Sequence, residues 1–192
     1  MRSWTASFLS LGLIWLALAG PESRAQDSRP TEYQIKAACI FHFAEFVRWP
    51  PSAFTASNSF MVIGILGENP FHDDLAQMLQ NKTVDDHPLM VKEIRSLSEA
   101  TNCHILFISS SEKARLPEIL KNLKGTSVLT VSEMDHFTES GGMINFVLEK
   151  AKIRFEINNE AATSAGLKIS SKLMLVAIQP QRNNPDAQRL AQ

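Results

Sequence analysis

The chain lacks an excess of charge of either sign, and this excludes partners that depend on a strong electrostatic field. Lysine and arginine total 19 residues and aspartate and glutamate total 20, so the formal net charge is −1 with the histidines neutral. Proteins that bind nucleic acid usually carry basic patches that neutralise phosphates. The sequence has no stripe of lysine and arginine with interleaved aromatic residues. Binding to nucleic acid is therefore not expected.

Long apolar runs are equally scarce, and the one that stands out lies near the start of the chain. Residues 8–20 (FLSLGLIWLALAG) form 13 uncharged positions, whereas a membrane-spanning helix needs about 20 apolar residues. Arg2 precedes this run, and Ser23 and Ala25 place small residues at the −3 and −1 positions of a cut after Ala25. This arrangement is typical of a secretory signal peptide, and a retained membrane anchor is the weaker alternative. We predict that residues 1–25 are removed and that the mature chain spans no membrane.

Cysteine is represented by two residues only, Cys39 and Cys103. In an exported protein these two can form a disulfide, which would stabilise the fold by roughly 4 kcal/mol in the chain-entropy model. The alternative is a pair of buried thiols that act as small apolar side chains. Cys39 falls inside a predicted helix and Cys103 directly before a predicted strand, so disulfide geometry leaves both alternatives open.

Recognisable catalytic motifs are absent as well. Residues 64–67 (GILG) end a predicted strand as phosphate-binding loops do, but the third glycine and a Walker lysine are missing. Residues 110–113 (SSEK) read as S-x-x-K without the companion motifs of penicillin-recognising enzymes, and a serine helix cap explains them. The five histidines have no spacing known from metal sites. We predict that the protein is not an enzyme and has no catalytic, cofactor-binding or metal-binding residues.

Hydrophobic periodicity switches repeatedly between the helical and the strand period, which predicts an α/β fold. Helical spacing predicts six helices, at residues 31–48, 71–81, 111–123, 134–140, 158–165 and 171–177, of which the last also fits the strand period. Apolar or alternating runs predict six strands, at residues 60–66, 89–94, 104–108, 127–131, 143–148 and 152–157. A tight turn joins the last two strands, which must be antiparallel. We predict a single three-layer domain with a mixed, mostly parallel sheet, a C-terminal antiparallel hairpin and helices on both faces.

The ends of this domain are marked by changes in composition. Thr31 and Gln34 form the sequence signature of a capping box at the start of the first helix. We predict a flexible N-terminus at residues 26–31, the α/β domain at residues 32–179 and a polar, disordered tail at residues 180–192.

Seven segments of the predicted domain share their order and spacing with a known family. They are residues 36–50 (KAACIFHFAEFVRWP), 62–71 (VIGILGENPF), 103–108 (CHILFI), 128–132 (VLTVS), 141–144 (GGMI), 155–158 (FEIN) and 165–173 (AGLKISSKL). Together these segments resemble the YfiR-like family of periplasmic regulatory proteins. The resemblance spans residues 33–177, which is nearly the whole mature chain.

The resemblance implies a non-enzymatic regulator in the periplasm. YfiR-like proteins bind the periplasmic sensor domain of an inner-membrane diguanylate cyclase and hold it inactive, which lowers cyclic di-GMP and biofilm formation. The repressor is released when an outer-membrane OmpA-like lipoprotein sequesters it or when redox stress misfolds it, and some relatives form homodimers. The best-known type of member has two disulfides, whereas this chain has two cysteines. The resemblance therefore does not extend to redox control.

A repressor of this kind needs a recognition surface, and we select five candidate protein-interaction residues. Phe46, Trp49 and Phe54 surround the Pro-Pro end of the first helix, where Trp49 is either a core residue or an interface anchor. Glu68 and Asn69 lie in the turn after the first strand, where open α/β sheets bind ligands. This turn also supports an alternative function, a periplasmic small-ligand-binding protein that feeds a membrane sensor or transporter.

Overall fold

The computed structural model describes residues 30–54 and 59–178. The predicted signal peptide, residues 26–29 of the predicted flexible N-terminus and the predicted tail at 180–192 lie outside these ranges and stay predictions. Within the described ranges, no helix combines the length and the apolar character that crossing a membrane requires.

A mixed sheet of seven strands forms the centre of the domain, and two short strands form a separate sheet. The strands are β1 (Val47–Arg48), β2 (Met61–Leu66), β3 (Thr83–Val84), β4 (His87–Ile94), β5 (Ile105–Ile108), β6 (Leu129–Ser132), β7 (Ile144–Glu149), β8 (Lys152–Ile157) and β9 (Lys168–Ile169). The large sheet has the order β3-β4-β2-β5-β6-β7-β8, and β1 pairs with β9. Neighbours from β4 to β7 are parallel, whereas β3 and β8 run antiparallel at the two edges. The prediction of a mostly parallel sheet with a C-terminal hairpin is confirmed.

Helices cover both faces of the large sheet. The α-helices are α1 (Glu32–Phe46), α2 (Asp74–Leu79), α3 (Leu97–Ala100), α4 (Leu116–Leu123), α5 (Asn159–Ser164) and α6 (Ser171–Val176). Helices α1, α2, α5 and α6 pack into the buried cluster that contains Ile105 and Phe107. Helices α3 and α4 pack into the cluster that contains Leu106 and Ile108. Because successive side chains of β5 point to opposite faces of the sheet, the two clusters lie on opposite sides and the predicted three-layer fold is confirmed.

The first helix begins where the capping box predicts. Thr31 Oγ1 accepts a hydrogen bond from the N–H of Gln34 at 3.2 Å, and Gln34 Oε1 accepts one from the N–H of Thr31 at 3.0 Å. These two bonds satisfy N–H groups that have no partner within the helix. The helix ends at Phe46, two residues earlier than predicted, because the next two residues form β1 and pair with β9.

Two predicted helices differ from the observed elements because left-handed backbone conformations interrupt them. Residues 134–140 form turns and not the predicted short helix, since His136 has a φ of 61°. The helix predicted at residues 71–81 is shortened to α2, since His72 and Asn81 have φ values of 49° and 60°. A residue in the left-handed region cannot continue a right-handed helix.

Other differences concern short elements. The helix predicted at residues 111–123 is a 3₁₀ helix, Ser110–Arg115, followed by α4. A further 3₁₀ turn, Pro51–Ala53, follows β1. The short elements β3, β9 and α3, which have two to four residues each, were not predicted, and β1 was predicted as the end of the first helix. Elements of this length contain too few residues for a hydrophobic period to show.

Both cysteines are free thiols. Cys39 packs half-buried against the cluster on the α1 face, whereas Cys103 is buried in the cluster on the α4 face. The sheet separates them, so the disulfide that the sequence left open is not formed, and the structure has the alternative of two thiols packed as apolar side chains. Burial raises the pKa of the Cys103 thiol to about 11 and also raises the pKa of Cys39.

Candidate functional site

The aromatic candidates Trp49 and Phe54 lie at the amino-terminal edge of the parallel strands, around His104. The indole Nε1 of Trp49 donates a hydrogen bond to the carbonyl of His104 at 3.2 Å. The ring of Phe54 is stacked between two imidazoles, with its centroid 3.9 Å from that of His87 and 4.4 Å from that of His104. Trp49 and Phe54 are both half-buried and pack against the cluster on the α1 face. They therefore hold the segment after α1 against the sheet.

The two imidazoles of this stack are fixed by backbone hydrogen bonds. His104 Nδ1 accepts a bond from the N–H of Val62 at 3.0 Å, so the proton lies on Nε2, which donates to the carbonyl of Ala53 at 3.1 Å. His87 Nδ1 donates to the carbonyl of Ser59 at 2.7 Å. Burial of the His104 ring lowers its pKa, partly opposed by the bond to Ala53. Burial and the hydrogen bond from Val62 thus both favour the neutral form of the His104 ring.

The other three candidates are placed differently. Phe46 is half-buried, and its carbonyl accepts a hydrogen bond from the N–H of Ser170 at 2.9 Å. Glu68 is exposed at the carboxyl end of β2, and Asn69 Oδ1 caps the N–H of Phe71 at 3.0 Å. The six residues of β2 separate this turn from the aromatic group by about 20 Å, at roughly 3.3 Å per residue. Trp49 and Phe54 therefore lie at the amino-terminal ends of the parallel strands, whereas Glu68 and Asn69 lie at the carboxyl-terminal ends.

The turn after β2, where open α/β sheets bind ligands, contacts the 3₁₀ helix that follows β5. Ser111 Oγ accepts a hydrogen bond from the N–H of Glu68 at 2.9 Å. Gly67 has a φ of +90°, and a Cβ atom built on it would lie 2.4 Å from Ser111 Oγ. No side chain fits at position 67 between this turn and the 3₁₀ helix that follows β5, so the two segments pack directly against each other.

A cleft of about 660 Å³ opens further along the same edge, where β7 projects past β6. We call it the acidic cleft, because its walls carry six carboxylates and a single lysine: Glu32, Lys36, Glu133, Asp135, Glu139, Glu149 and Glu156. His136 also lines the cleft and binds Glu139 through Nδ1 at 3.0 Å. Apolar side chains of the hairpin, Leu148 and Ile153, also line the cleft, together with Ile178. The lining of the cleft thus combines acidic and apolar side chains.

The charge of Lys36, the lysine that lines the acidic cleft, is neutralised by ion pairs within the protein. Lys36 is 4% exposed on α1, and its ammonium forms ion pairs with Glu32 and Glu133. Tyr33 donates its hydroxyl to Glu133 at 3.2 Å and lies with its ring centroid 4.6 Å from Lys36 Nζ. Burial disfavours the charged lysine, but the bonds to Glu133 and Glu32 outweigh burial and raise the pKa of Lys36. With its only lysine neutralised, the cleft favours a positively charged ligand.

A buried amide lines the inner end of the acidic cleft. Asn145 of β7 is 3% exposed, and its side-chain Oδ1 has no hydrogen-bond partner among the described residues. It sits in register with Ser132 of β6 and with Glu156 of β8. A buried acceptor without a donor costs about 1 to 3 kcal/mol. The amide is therefore a group that a bound ligand can satisfy.

Neither Lys36 nor Asn145 was predicted as a site residue, although the sequence marks both as unusual. Lys36 interrupts the apolar face of a helix, and Asn145 interrupts an apolar strand.

Within residues 30–54 and 59–178, no group of three or more His, Cys, Asp or Glu is placed to hold a metal ion. The arrangement suits recognition of a cationic, hydrogen-bonding partner.

Comparison with known proteins assigns the family. The model of a family described as YfiR/HmsC-like matches residues 33–178. A crystal structure of a conserved domain protein from Vibrio cholerae O1 biovar El Tor is similar in fold, with a TM-score of 0.54, 10% identity and coverage of 78% of this chain. The match spans 60% of that Vibrio chain, and at this identity the likeness concerns the fold alone. No curated protein matches the chain. Because the family model covers most of its length, the chain belongs to the YfiR/HmsC-like family.

Proposed function

We propose that this protein is an exported, non-enzymatic regulator that binds the periplasmic sensor domain of an inner-membrane diguanylate cyclase and represses cyclic di-GMP synthesis. The observation that carries the proposal is the match of residues 33–178 to the YfiR/HmsC-like family. A regulator of this type acts by contact with another protein. It needs a rigid domain with one recognition surface and no acid–base machinery.

The composition of the acidic cleft supports a binding role. A specific protein–protein contact buries about 800 Å² on each partner, and charge of one sign on such a surface selects partners of the opposite charge. The lining of the acidic cleft includes carboxylates and the exposed apolar side chain of Leu148. It is the surface on which we place the partner.

The periplasm is the proposed location. The uncharged run at residues 8–20 and the small residues before Gln26 support export and cleavage. N-terminal sequencing of the protein recovered from the periplasmic fraction should begin at or near Gln26. An intact N-terminus on cytosolic protein would contradict the proposal.

Deletion of the gene in a host that expresses the cognate cyclase tests the function. Cyclic di-GMP and biofilm should rise, and expression of the full chain in trans should restore both. A chain without residues 1–25 should fail to restore them, because it stays in the cytoplasm. Deleting the cyclase together with the regulator should abolish the rise. Unchanged cyclic di-GMP in the single deletion would contradict the proposed function.

Two further partners belong to the same proposal. An OmpA-like lipoprotein of the outer membrane would sequester the regulator and release the cyclase, and the mature protein would form a homodimer. Co-purification with the lipoprotein and light scattering of the mature protein test these two points separately.

A small-ligand-binding protein that feeds a membrane sensor or transporter is the second candidate function. The volume of the acidic cleft lies within the range of about 300 to 1,000 Å³ that is usual for ligand pockets. A thermal-shift screen with nucleotides, sugars and amino acids tests it, and stabilisation by one of these classes would favour this second function.

A further inference from the structure

The hairpin of β7 and β8 leaves part of β7 without a strand partner on one side. Among the described residues, β6 pairs with β7 only at Ile144 and Asn145. On its other side, β7 pairs with β8 along its whole length, from Ile144 to Glu149. We call the stretch Phe146–Glu149, on the side away from β8, the open edge. It borders the acidic cleft, which is lined by all four of its residues.

The hydrogen bonds of β8 show which backbone groups face the open edge. The N–H of Ile178 donates to the carbonyl of Phe155 at 2.9 Å, so the backbone of Phe155 faces away from β7. Backbone groups of successive strand residues point in alternating directions, so Arg154 and Glu156 face β7. Their partners in register are Val147 and Asn145.

It follows that the backbone of Leu148 points away from β8, towards the acidic cleft. Its N–H and C=O have no strand partner among the described residues, because the pairing with β6 ends at Asn145. An unpaired strand edge is a template for another chain, and folded proteins protect it with short strands, charged side chains or a covering segment. Glu149 supplies the one charged side chain of the open edge, and this charge is negative, whereas the Leu148 side chain is apolar and 68% exposed.

The surroundings of the open edge determine the chemistry of the strand that would fit. Asp135 lines the cleft together with the open edge, and Glu149 lies at the end of this edge. Glu133 is ion-paired with Lys36 and Glu139 binds His136, so Asp135 and Glu149 are the carboxylates that attract cations. Leu148 and Ile153, which are paired in register, supply the apolar contact.

We infer that the open edge takes up an extended, basic segment of the partner protein as an added strand in the acidic cleft. Main-chain hydrogen bonds to Leu148 supply affinity, the carboxylates select lysine and arginine, and the unpartnered amide of Asn145 binds a polar group of the incoming segment. This assignment rests on the proposed function, because it names the surface through which the regulator holds its partner.

Amide exchange of the mature protein, followed by NMR, tests the open edge directly. In the free protein the amides of Val147 and Glu149 should exchange slowly and that of Leu148 fast, since only the first two face β8. Two probes are added separately: the purified periplasmic domain of the cognate cyclase, and a short peptide of alternating lysine and valine. Both should slow the exchange at Leu148, whereas a peptide of alternating glutamate and valine should not.

A pair of variants separates the main-chain bond from the side chain. Leu148→Pro deletes the outward-facing N–H and leaves the groups that face β8 in place, whereas Leu148→Thr removes the apolar side chain and keeps the N–H. Affinity for the lysine–valine peptide should fall about tenfold or more in the proline variant and about threefold or less in the threonine variant. Thermal melts of both variants confirm that they are folded.

A second pair of variants tests the charge. Asp135→Asn combined with Glu149→Gln should weaken binding of the peptide about tenfold and reduce its dependence on salt. Glu160→Gln is the matched control, because Glu160 is an exposed carboxylate on α5 that does not line the acidic cleft. Affinity should be unchanged in this control, and an equal loss in both would contradict a local effect.

The outcomes distinguish this assignment from the proposed function. If the cyclase domain binds but leaves exchange at Leu148 unchanged and binds Leu148→Pro as tightly as wild type, the assignment is wrong and the proposed function stands. If the peptide protects Leu148 while the cyclase domain does not bind, the open edge is confirmed as a strand-binding site and the proposed function is wrong. Failure of both probes to protect Leu148 overturns the assignment.

If another segment or molecule occupies the open edge, the amide of Leu148 should exchange slowly even in the protein without added probe. Protection of Leu148 that grows with protein concentration would mean that a second copy occupies the edge. Protection that disappears in a variant ending at Ile178 would mean that residues 179–192 occupy it. A small ligand would protect Leu148 without any peptide. Each of these results overturns the assignment to a basic partner segment.

Discussion

The imidazole Nδ1 of His104 accepts a hydrogen bond from the backbone N–H of Val62 at 3.0 Å. This bond joins the residue before β5 to the second residue of β2, and it exists only while Nδ1 is unprotonated. The same ring stacks on Phe54 and donates from Nε2 to Ala53. One neutral histidine therefore connects two central strands to the segment that follows α1.

We predict that the free energy of unfolding decreases as the pH falls below 6.5. The pKa of His104 is lowered in the folded protein from its ordinary value of 6.5, chiefly by burial. The unfolded chain then binds more protons than the folded one, so stability rises with pH through this window and is complete above the unfolded pKa. Urea unfolding between pH 5 and pH 7 measures the slope.

His104→Asn serves as the control for this pH dependence. The variant should be less stable at neutral pH, because the bond to Val62 or the stacking on Phe54 is lost, and its stability should depend less on pH in this window. A slope equal to that of wild type would assign the pH dependence to other groups.

Replacement of Lys36 by methionine should destabilise the protein by about 2 to 3 kcal/mol, because it leaves Glu133 partly buried without a counter-ion. The side chain of Glu133 is 16% exposed, whereas that of Glu32 is 49% exposed. Glu32→Gln should therefore cost about 0.5 kcal/mol or less, as is usual for pairs with an exposed partner. Denaturant unfolding of the two variants measures the difference. Equal decreases in the free energy of unfolding would show that the ion pair with Glu133 does not stabilise the protein more than the ion pair with Glu32.

Gly64→Ala should destabilise the protein by about 1 to 3 kcal/mol through overpacking. A Cβ atom at this position would lie 2.5 Å from Cys103 Sγ and 2.7 Å from Cγ1 of Ile94. Combining it with Cys103→Ala should recover part of the loss, since one of the two clashing atoms is removed. Strict additivity of the two changes in urea unfolding would contradict the contact between residues 64 and 103.

Both thiols should be found reduced in the native protein. Titration after unfolding without a reductant should give two free thiols per chain, because the sheet separates Cys39 from Cys103. In the folded protein at pH 8, Cys103 should resist alkylation, since burial raises its pKa to about 11 and the thiolate is the reactive form. Loss of thermal stability on addition of a reductant would contradict this result.

Asn145→Leu should raise stability and weaken binding of the partner. The buried Oδ1 of Asn145 has no hydrogen-bond partner among the described residues, so an apolar side chain of similar volume removes a cost of about 1 to 3 kcal/mol. A thermal melt and a binding titration with the cyclase domain measure the two effects. A destabilised variant would mean that the amide is satisfied in the folded protein.

Much of the fold was predictable, because the central strands β2, β5 and β6 are buried on both faces and helix α4 has one clear apolar face. The runs FMVIGIL and HILFI could only be buried strands or helices, and their shortness decided between these. The capping box at Thr31 also fixed the start of α1 correctly. The misplaced helix at residues 134–140 shows the limit, because the left-handed conformation of His136 has no signature in periodicity.

The candidate site was less predictable, since it depends on contacts between distant parts of the chain. Lys36 and Glu133 are 97 residues apart in sequence, and their pairing follows only from the way α1 packs over the end of β6. Likewise, the open edge arises because β7 is longer than β6, which single-strand patterns do not reveal. Trp49 and Phe54 stood out by residue type, and their actual neighbours, His87 and His104, became visible only in the fold.

We propose that the protein inhibits a diguanylate cyclase by direct contact with the periplasmic domain of the cyclase. The most direct measurement adds the purified mature chain to the periplasmic side of the full-length cognate cyclase, reconstituted in lipid, and follows the conversion of GTP. We predict that turnover falls to a low plateau at saturation, with a midpoint equal to the dissociation constant for the isolated periplasmic domain. Turnover that stays constant while the chain is shown to be folded and in excess would contradict the account.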